Sequence, residues 1–450
     1  MSDKGYRHPA LRWNKEWTVP RTQNNANNSY YFNTGVNNNN KSNWYLAIPF
    51  FDCNSVTMAR FSDSPMDEYV TIEQIDEAYR DCCRKKTSTD GCVRYMRNYL
   101  LNNYELYKEL NTMTYEIGKS KAFCVTRPKL REVFCAQFRD RIVHHLLAIK
   151  FHDILEDEMT DNAFACRKGK GTEYGLQFVR NEICRVSDNY RQEVWVLKCD
   201  MQGFFMSINR QLLYRIVEDL FRSKYHGDDI EWWLWLWRKA IMNDPAKNCV
   251  RVGDLSLWNR LPKNKSLFTC GEGIGLPIGN LPSQILANLL LSAFDKWMLC
   301  RIGKDGGYGR YVDDFVCVSR NKEKLLEILH DARTYLKMNL GIALHPRKVF
   351  LQRVSDGLEL TGAFIKGGKL YPGKRIRRHI YEAIEEWNAI ESPTREQIEH
   401  FVMSINSYYG FLVHREAGEL RREIWNRMQN KRYIYCVNMK KIKIINKYKI

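Results

Sequence analysis

Three carboxylates stand where residue type and setting suggest chemistry. Asp200 closes an apolar run, VWVLKCD, while Asp313 and Asp314 sit together in YVDDF between two short apolar stretches. Carrying acidic groups into apolar surroundings is costly unless cations neutralise them. Hard divalent ions with oxygen ligands meet that need, and two Mg²⁺ ions about 4 Å apart can activate an attacking hydroxyl and stabilise the leaving group of an in-line displacement. The bland alternative is that a DD pair between apolar runs is an ordinary turn, and spacing alone favours it.

For these carboxylates to meet, a buried strand must deliver Asp200 and a strand pair must deliver the acidic doublet. EVWVLKCDM, from Glu193 to Met201, reads as the buried strand, YGRYVDDFVCVS as two strands with a turn at the two Asp, and LELTGAFI as another strand. Around them TIEQIDEAYRDCCRKK, from Thr71, reads as a helix with Ile72, Ile75 and Ala78 at three-residue spacing, and YMRNYLLNNYELYKEL as a second. AQFRDRIVHHLLAIKFHDILEDEM, after the short extended RPKLREVF, reads as a third, with SINRQLLYRIVEDLF and ILANLLLSAFDKWML as further helices. After about Arg375 only helices are expected. The alternation predicts an α+β palm flanked by helical lobes.

The chain has 450 residues, too many for one compact core, so two or three lobes are expected. Seventy Lys and Arg against fifty-two Asp and Glu give +18, which points to a polyanionic partner, nucleic acid first, with surface solubility as the alternative. Fourteen scattered cysteines without a Cys-x-x-Cys pair read as reduced, mostly buried thiols. MSDKGYRHPALRW has no apolar signal core and no stretch reaches the length of a bilayer span, so a cytoplasmic protein is expected. Half of the positions from Asn24 to Asn43 are Asn, a low-complexity polar arm. WWLWLW, Trp232 to Trp237, reads as core in preference to a base-stacking platform. The tail from Lys431 has seven basic residues and no acidic one, suited to a phosphate backbone or to solvent.

In chain order RPKLREVF, FACRKGKGT, KCDMQGFFMSI, GIGLPIGNLPSQILANLLL, YVDDF, LHPRKVFL and LTGAFI form a series, from about Ala122 to Ile365, that resembles reverse transcriptases of the right-hand polymerase fold. One YxDD is weak; seven blocks in order are strong. The resemblance implies fingers, an antiparallel-sheet palm and a helical thumb, and an RNA-directed DNA polymerase using dNTP substrates and two Mg²⁺ ions. It implies Asp200 and Asp313 as ligands bridging both metals, Asp314 as a third carboxylate, and the Met201 carbonyl as a ligand of the nucleotide metal. Lys129, Arg131 and Lys348 would pair with the triphosphate, ordinary surface charge being the alternative. Phe205 would lie beneath the sugar and reject a 2′-hydroxyl by collision, or else be a core ring. Arg167, Lys168 and Lys170 would touch the template backbone, and Thr361 and Gly362 would belong to the hairpin that grips the primer end.

PIGNLPSQ narrows the resemblance. Ile278 stands where many reverse transcriptases carry a Gln that helps hold the nascent base pair, followed by Gly279 and Asn280 at the template and primer and Gln284 at the nucleotide. With LPKNKSLF upstream, this block resembles reverse transcriptases of diversity-generating retroelements, apart from Pro282, where Thr is expected. That family copies a template-repeat RNA with errors opposite adenine, and the mutated cDNA replaces a variable region of a target gene. The Asn-rich arm then has a second reading: Asn24 to Trp44 is derived from the template repeat. The family implies template RNA, cDNA product and a small basic helical accessory protein, oligomeric, as partners, in a bacterial or phage setting. Strand cleavage and integration would come from other proteins.

The expected divisions are the Asn-rich segment 1–50, fingers 51–190, palm with a finger insertion 191–370, helical thumb 371–430 and basic tail 431–450. Two other readings are an antiphage defence reverse transcriptase and an inert RNA-binding scaffold. Three intact carboxylates facing a polyanion argue against the scaffold.

Overall fold

The computed structural model describes residues 68–84, 86–126 and 129–445; the Asn-rich segment, with both of its readings, lies outside them. The described chain opens with α1 (Ile72–Cys83), started by a capping box in which Thr71 and Gln74 satisfy each other's backbone N–H groups. Ile75, Ala78 and Cys82 make its buried stripe. The segment expected as one helix from Tyr95 is two, α2 (Asp90–Met96) and α3 (Tyr99–Asn111), because Asn98 leaves helical geometry at φ −132°. Asn102 donates to the Tyr95 carbonyl that the break exposes, at 3.0 Å.

An antiparallel pair follows, β1 (Ser120–Val125) and β2 (Arg131–Cys135). The next helical stretch divides into α4 (Phe138–Lys150) and α5 (His152–Glu158) at Phe151. The Phe151 ring is fully buried, 4.1 Å from that of Phe221 and edge-on to Trp233 and Trp237. The Trp run is therefore core, with Trp232, Trp233 and Trp237 buried, and no base can reach those rings. Then come α6 (Thr172–Val186), β3 (Trp195–Met201), the single turn α7 (Phe204–Ser207), α8 (Arg210–Lys224), α9 (Ile230–Met242) and β4 (Cys249–Arg251), which pairs parallel with β1.

The apolar segment expected as one helix splits at Leu291 into α10 (Leu281–Leu290) and α11 (Ser292–Ile302). The strand pair is β5 (Gly307–Tyr311) and β6 (Asp314–Ser319), so the turn is Val312–Asp313 and Asp314 is already in the strand. After α12 (Lys322–Leu340) and β7 (Leu344–Arg353), the LELTGAFI segment is a hairpin of β8 (Leu358–Leu360) and β9 (Ala363–Lys366), extended by β10 (Lys369–Pro372). Three helices follow, α13 (Lys374–Asn388), α14 (Arg395–Leu412) and α15 (Gly418–Arg427).

A hairpin of β11 (Ile434–Val437) and β12 (Lys441–Ile444) corrects the expectation of helices only. Alternation explains it: Ile434 and Ile442 are buried with α13 to α15, while Tyr435, Lys441 and Lys443 face out. Asn406 on α14 brackets Ile442, accepting its N–H at 2.7 Å and donating to its carbonyl at 2.8 Å.

The central sheet has the order β5-β6-β3-β7, antiparallel throughout, as the α+β expectation required. Period two sorts its side chains. Leu197, Cys199, Met201, Phe315 and Cys317 face the core built with α8 to α12. Val196, Val316 and Val318 face the other way, toward Leu176, Val179 and Ile183 of α6 and Leu358, Leu360 and Ile365 of the hairpin. Each such side chain, fully buried, contributes roughly 1.5–3 kcal/mol, which fixes the register, since a one-residue slip would exchange the two faces. Among the described residues no helix is long and apolar enough to cross a membrane.

Candidate active site

The same register that buries the valines places the acids. Asp200 shares parity with Val196 on β3, and Asp314 with Val316 and Val318 on β6, and the two Asp are direct cross-strand partners. Neighbours across an antiparallel pair have Cα atoms roughly 4.5–5.5 Å apart, so both carboxylates lie on one face at the strand ends. Asp313 is held in the adjoining turn, its carbonyl accepting from the Met201 N–H at 3.2 Å. Met201 thus ties the turn to β3 while its side chain is buried.

Burial and the neighbouring charges of Asp314 and Asp200 push the Asp313 carboxyl up to about 6. Burial and Asp200 also raise Asp314, against the pull of Lys198, Lys348 and Lys129. Excess negative charge therefore gathers here. One counter-ion is built in. Between Cys199 opposite Val349 and Met201 opposite Leu344 the register shifts, so that Asp200 alone spans four residues of β7, 345–348. This bulge bends the strand, and Lys348 Nζ meets Asp200 Oδ1 at 2.6 Å. Among the described residues no group of three or more His, Cys, Asp or Glu closes into a metal shell as it stands. The donor chemistry still fits a hard divalent cation: three carboxylates, one occupied by Lys348 and two held above the usual carboxylate range by burial and mutual repulsion.

Cations gather opposite. Lys129, exposed between β1 and β2, is held below the ordinary lysine value by partial desolvation and then by Arg375, Lys348, Arg131 and Lys265. Lys129, Arg131 and Lys348 were expected; Lys265 and Arg375 were not. Lys265 lies in the segment after β4, fastened on both sides. The neighbouring Asn264 carbonyl packs so close to Gly203, at φ +57°, that a Cβ there would stand 2.7 Å away. On the other side the buried Glu132 carboxylate accepts from Ser266 Oγ, the Leu267 N–H and Trp258 Nε1, each at 2.7 Å. Glu132 also escaped the sequence reading, although a lone acid in the apolar strand REVFC was a signal.

Phe205 is half-buried on α7, edge-on to Phe204 at 5.4 Å, and joins an apolar cluster with Phe134, Met206, Leu267 and Ile278. The Ile278 carbonyl accepts from the Phe134 N–H at 2.7 Å, docking PIGN on β2. Gly279, at φ +117°, could carry no Cβ, which would stand 2.5 Å from the Phe134 carbonyl oxygen. Asn280 stands at the N-cap position of α10, buried, but makes no capping bond, its Oδ1 being unpartnered among the described residues. Pro282 fits the first turn of α10, where its missing N–H is no loss, and Gln284 is exposed one turn in. Thr361 and Gly362, at φ 43° and 85°, form the two-residue turn between β8 and β9, with the Thr361 hydroxyl buried and unpartnered among the described residues.

The basic loop behaves otherwise. Arg167, its side chain 4% exposed, pairs with Glu156 and donates to the Thr160 and Ala163 carbonyls. It holds its own loop together. Lys170, 12% exposed, pairs with Asp161 at 2.8 Å. Lys168 alone of the three is exposed.

The family model described as reverse transcriptase (RNA-dependent DNA polymerase) matches residues 117–364. Among curated proteins the chain is similar to protein YkfC of Escherichia coli K12, 21% identical over 301 residues, covering 60% of this chain and 70% of that one. Among solved structures it is similar to apo telomerase of Candida tropicalis truncated from its C-terminal domain, with a TM-score of 0.39 and 12% identity over 61% of this chain and 60% of that one. It is also similar to telomerase of Candida albicans in complex with a TWJ fragment of telomeric RNA, with a TM-score of 0.41 and 10% identity over 69% of this chain. The chain spans 60% and 55% of the length of those two telomerase chains.

Proposed function

We propose a division of labour among residues from one premise: this chain belongs to the reverse transcriptase family and is an RNA-directed DNA polymerase. The observation that carries it is the cross-strand meeting of Asp200 and Asp314 with Asp313 in the turn between, opposite five cations. Asp200, Asp313 and Asp314, with the Met201 backbone, would hold Mg²⁺. Bound there, two ions would activate the primer 3′-hydroxyl and neutralise the leaving pyrophosphate.

Lys129, Arg131 and Lys348, joined by Lys265 and Arg375, bind and orient the triphosphate, whose developing charge positioned cations stabilise. Lys348 exchanges its Asp200 contact for phosphate. Phe205 forms the wall that a 2′-hydroxyl would strike, and Ile278 and Gln284 line the nascent base pair. Gly279 and Asn280 meet template and primer, the Thr361–Gly362 turn supports the primer end, and Lys168 contacts the template backbone. In this reading 51–190 serves as fingers, 191–370 as palm and 371–430 as thumb.

The finer reading is a polymerase of a diversity-generating retroelement, copying a template-repeat RNA with adenine-selective errors and working with a small basic accessory protein. Ile278 supports it: an aliphatic side chain in the Phe205 cluster offers the base pair no hydrogen bond where an amide could. A defence-associated reverse transcriptase is the second reading, sharing these residues. The test is sequencing of cDNA made on a primed RNA containing all four bases. Errors concentrated opposite adenine, altered in spectrum by Ile278→Gln, support the retroelement reading; a uniform spectrum unchanged by Ile278→Gln refutes it.

A further inference from the structure

The turn that presents Asp313 is strained. Val312, the first of its two residues, has φ +58°, a region where a β-branched residue is an outlier and glycine is the usual occupant. Strain of this kind costs roughly 1–3 kcal/mol and persists only where the surroundings over-determine it. The surroundings here are a buried polar network. Arg310 Nη1 donates to the Val312 carbonyl at 2.8 Å and to Asn288 Oδ1 at 3.2 Å. Its Nε and Nη2 fork onto the two oxygens of Asp295 at 2.7 and 2.6 Å. Four of the five guanidinium N–H groups are thereby used.

Each partner is held in turn. Tyr308 donates its hydroxyl to Asp295 Oδ1 at 2.6 Å, and Asn288 donates to the Ala165 carbonyl at 2.7 Å. The Arg310 backbone is pinned on both sides, its N–H to the Asn162 carbonyl at 2.7 Å and its carbonyl to the Phe164 N–H at 3.0 Å. Both members of the ion pair have fully buried side chains.

Stability does not explain the pair. A buried ion pair costs desolvation comparable to its attraction, and well-packed apolar side chains would serve a fold as well. What an apolar pair cannot do is donate to the Val312 carbonyl from a fixed direction. A lysine could not fork on Asp295 and reach that carbonyl together.

We propose that Arg310 is a positioning residue: forked on Asp295, it holds the Val312 carbonyl and so sets where the Asp313 carboxylate stands relative to Asp200 and Asp314. The inference rests on the metal-dependent polymerase reading above. It assigns the network a part in ion affinity and in the chemical step, and none in dNTP or template binding.

The test uses the full chain with Arg310→Lys and, as a variant that keeps volume and removes one charge, Asp295→Asn. Thermal melts fix a temperature at which each is folded. At that temperature Mn²⁺ binding, read by the loss of free-ion EPR signal, and single-nucleotide incorporation on primed RNA are compared with the unaltered protein. Groups that orient a metal's ligands are typically worth about 10–100-fold in affinity or activity. Mn²⁺ affinity and kcat should both fall in that range, with dNTP KM and affinity for primed RNA within about twofold. A folded Arg310→Lys or Asp295→Asn protein with unchanged Mn²⁺ affinity and kcat overturns the proposal, leaving the network a packing element. If the unaltered protein itself neither binds Mn²⁺ nor incorporates nucleotide, the polymerase reading fails instead.

Discussion

Asp313→Asn should make the metal-free protein more stable at pH 8 while removing its activity. Asp313 is pushed from 3.8 up to about 6 by burial and by the charges of Asp314 and Asp200. The folded state thus holds this proton more tightly than the unfolded chain does. Stability then falls as pH rises from about 4 through 6, and the loss is complete at pH 8. A change of one pKa unit is worth about 1.4 kcal/mol, so the ceiling is about 3 kcal/mol, and sharing of the proton among three coupled carboxylates leaves about 1–3 kcal/mol. Asn keeps the shape, leaves the backbone bond from Met201 to residue 313 in place and carries no charge. Urea unfolding in EDTA, followed by tryptophan fluorescence, should show the variant more stable by that amount at pH 8 and the gap closing toward pH 4. Adding Mg²⁺ should stabilise the unaltered protein selectively, since only it retains the ion's full ligand set. A variant no more stable at pH 8, or a gap that does not change with pH, would refute the placement of Asp313 among uncompensated negative charges.

Other perturbations follow from the same geometry. Glu132→Ala removes the acceptor of three buried donors, Trp258 Nε1, Ser266 Oγ and the Leu267 N–H, and at about 1–3 kcal/mol for each unpaired group, partly relieved by water, should cost about 2–4 kcal/mol in chemical denaturation. Lys265→Ala, whose cation faces Lys129, should raise dNTP KM about 5–20-fold in steady-state kinetics, a charge-assisted hydrogen bond being worth about 1.5–3 kcal/mol before solvent replaces part of it. Primed-RNA affinity should not change. Asn406→Ala removes both bonds to Ile442, and should speed hydrogen exchange across Ile434–Ile444 while leaving the central sheet protected, because the hairpin's buried Ile434 and Ile442 pack in the cluster of α13 to α15 and the sheet's valines in another.

The parts of the site legible in the sequence were those whose local pattern and chemistry coincide. An apolar strand ending in Asp200 and an acidic doublet between apolar runs could meet only if the strands paired, and the register that buries Val196 against Val318 also sets Asp200 against Asp314. What escaped depends on contacts between distant segments. Lys265 and Arg375 lie far apart in the chain and share a site with Lys129 only through the folding of the segment after β4 and of α13. Arg167 reads as a free cation, and only the structure reveals Glu156 beside it. Helix breaks at Asn98, Phe151 and Leu291 were missed because apolar periodicity continues across them, while single residues turn the chain to pack one half against a different neighbour. The C-terminal hairpin was hidden by its lysines, whose alternation with Ile442 and Ile444 over so few residues gives a weak strand signal.

Incorporation of one dNTP onto a DNA primer annealed to RNA, measured against Mg²⁺ concentration for the unaltered chain and for Asp313→Asn, tests the central assignment most directly. Extension that rises with Mg²⁺ in the former, vanishes with EDTA and is lost in the latter while primed RNA is still retained is the predicted result. Equal extension by both proteins would contradict it.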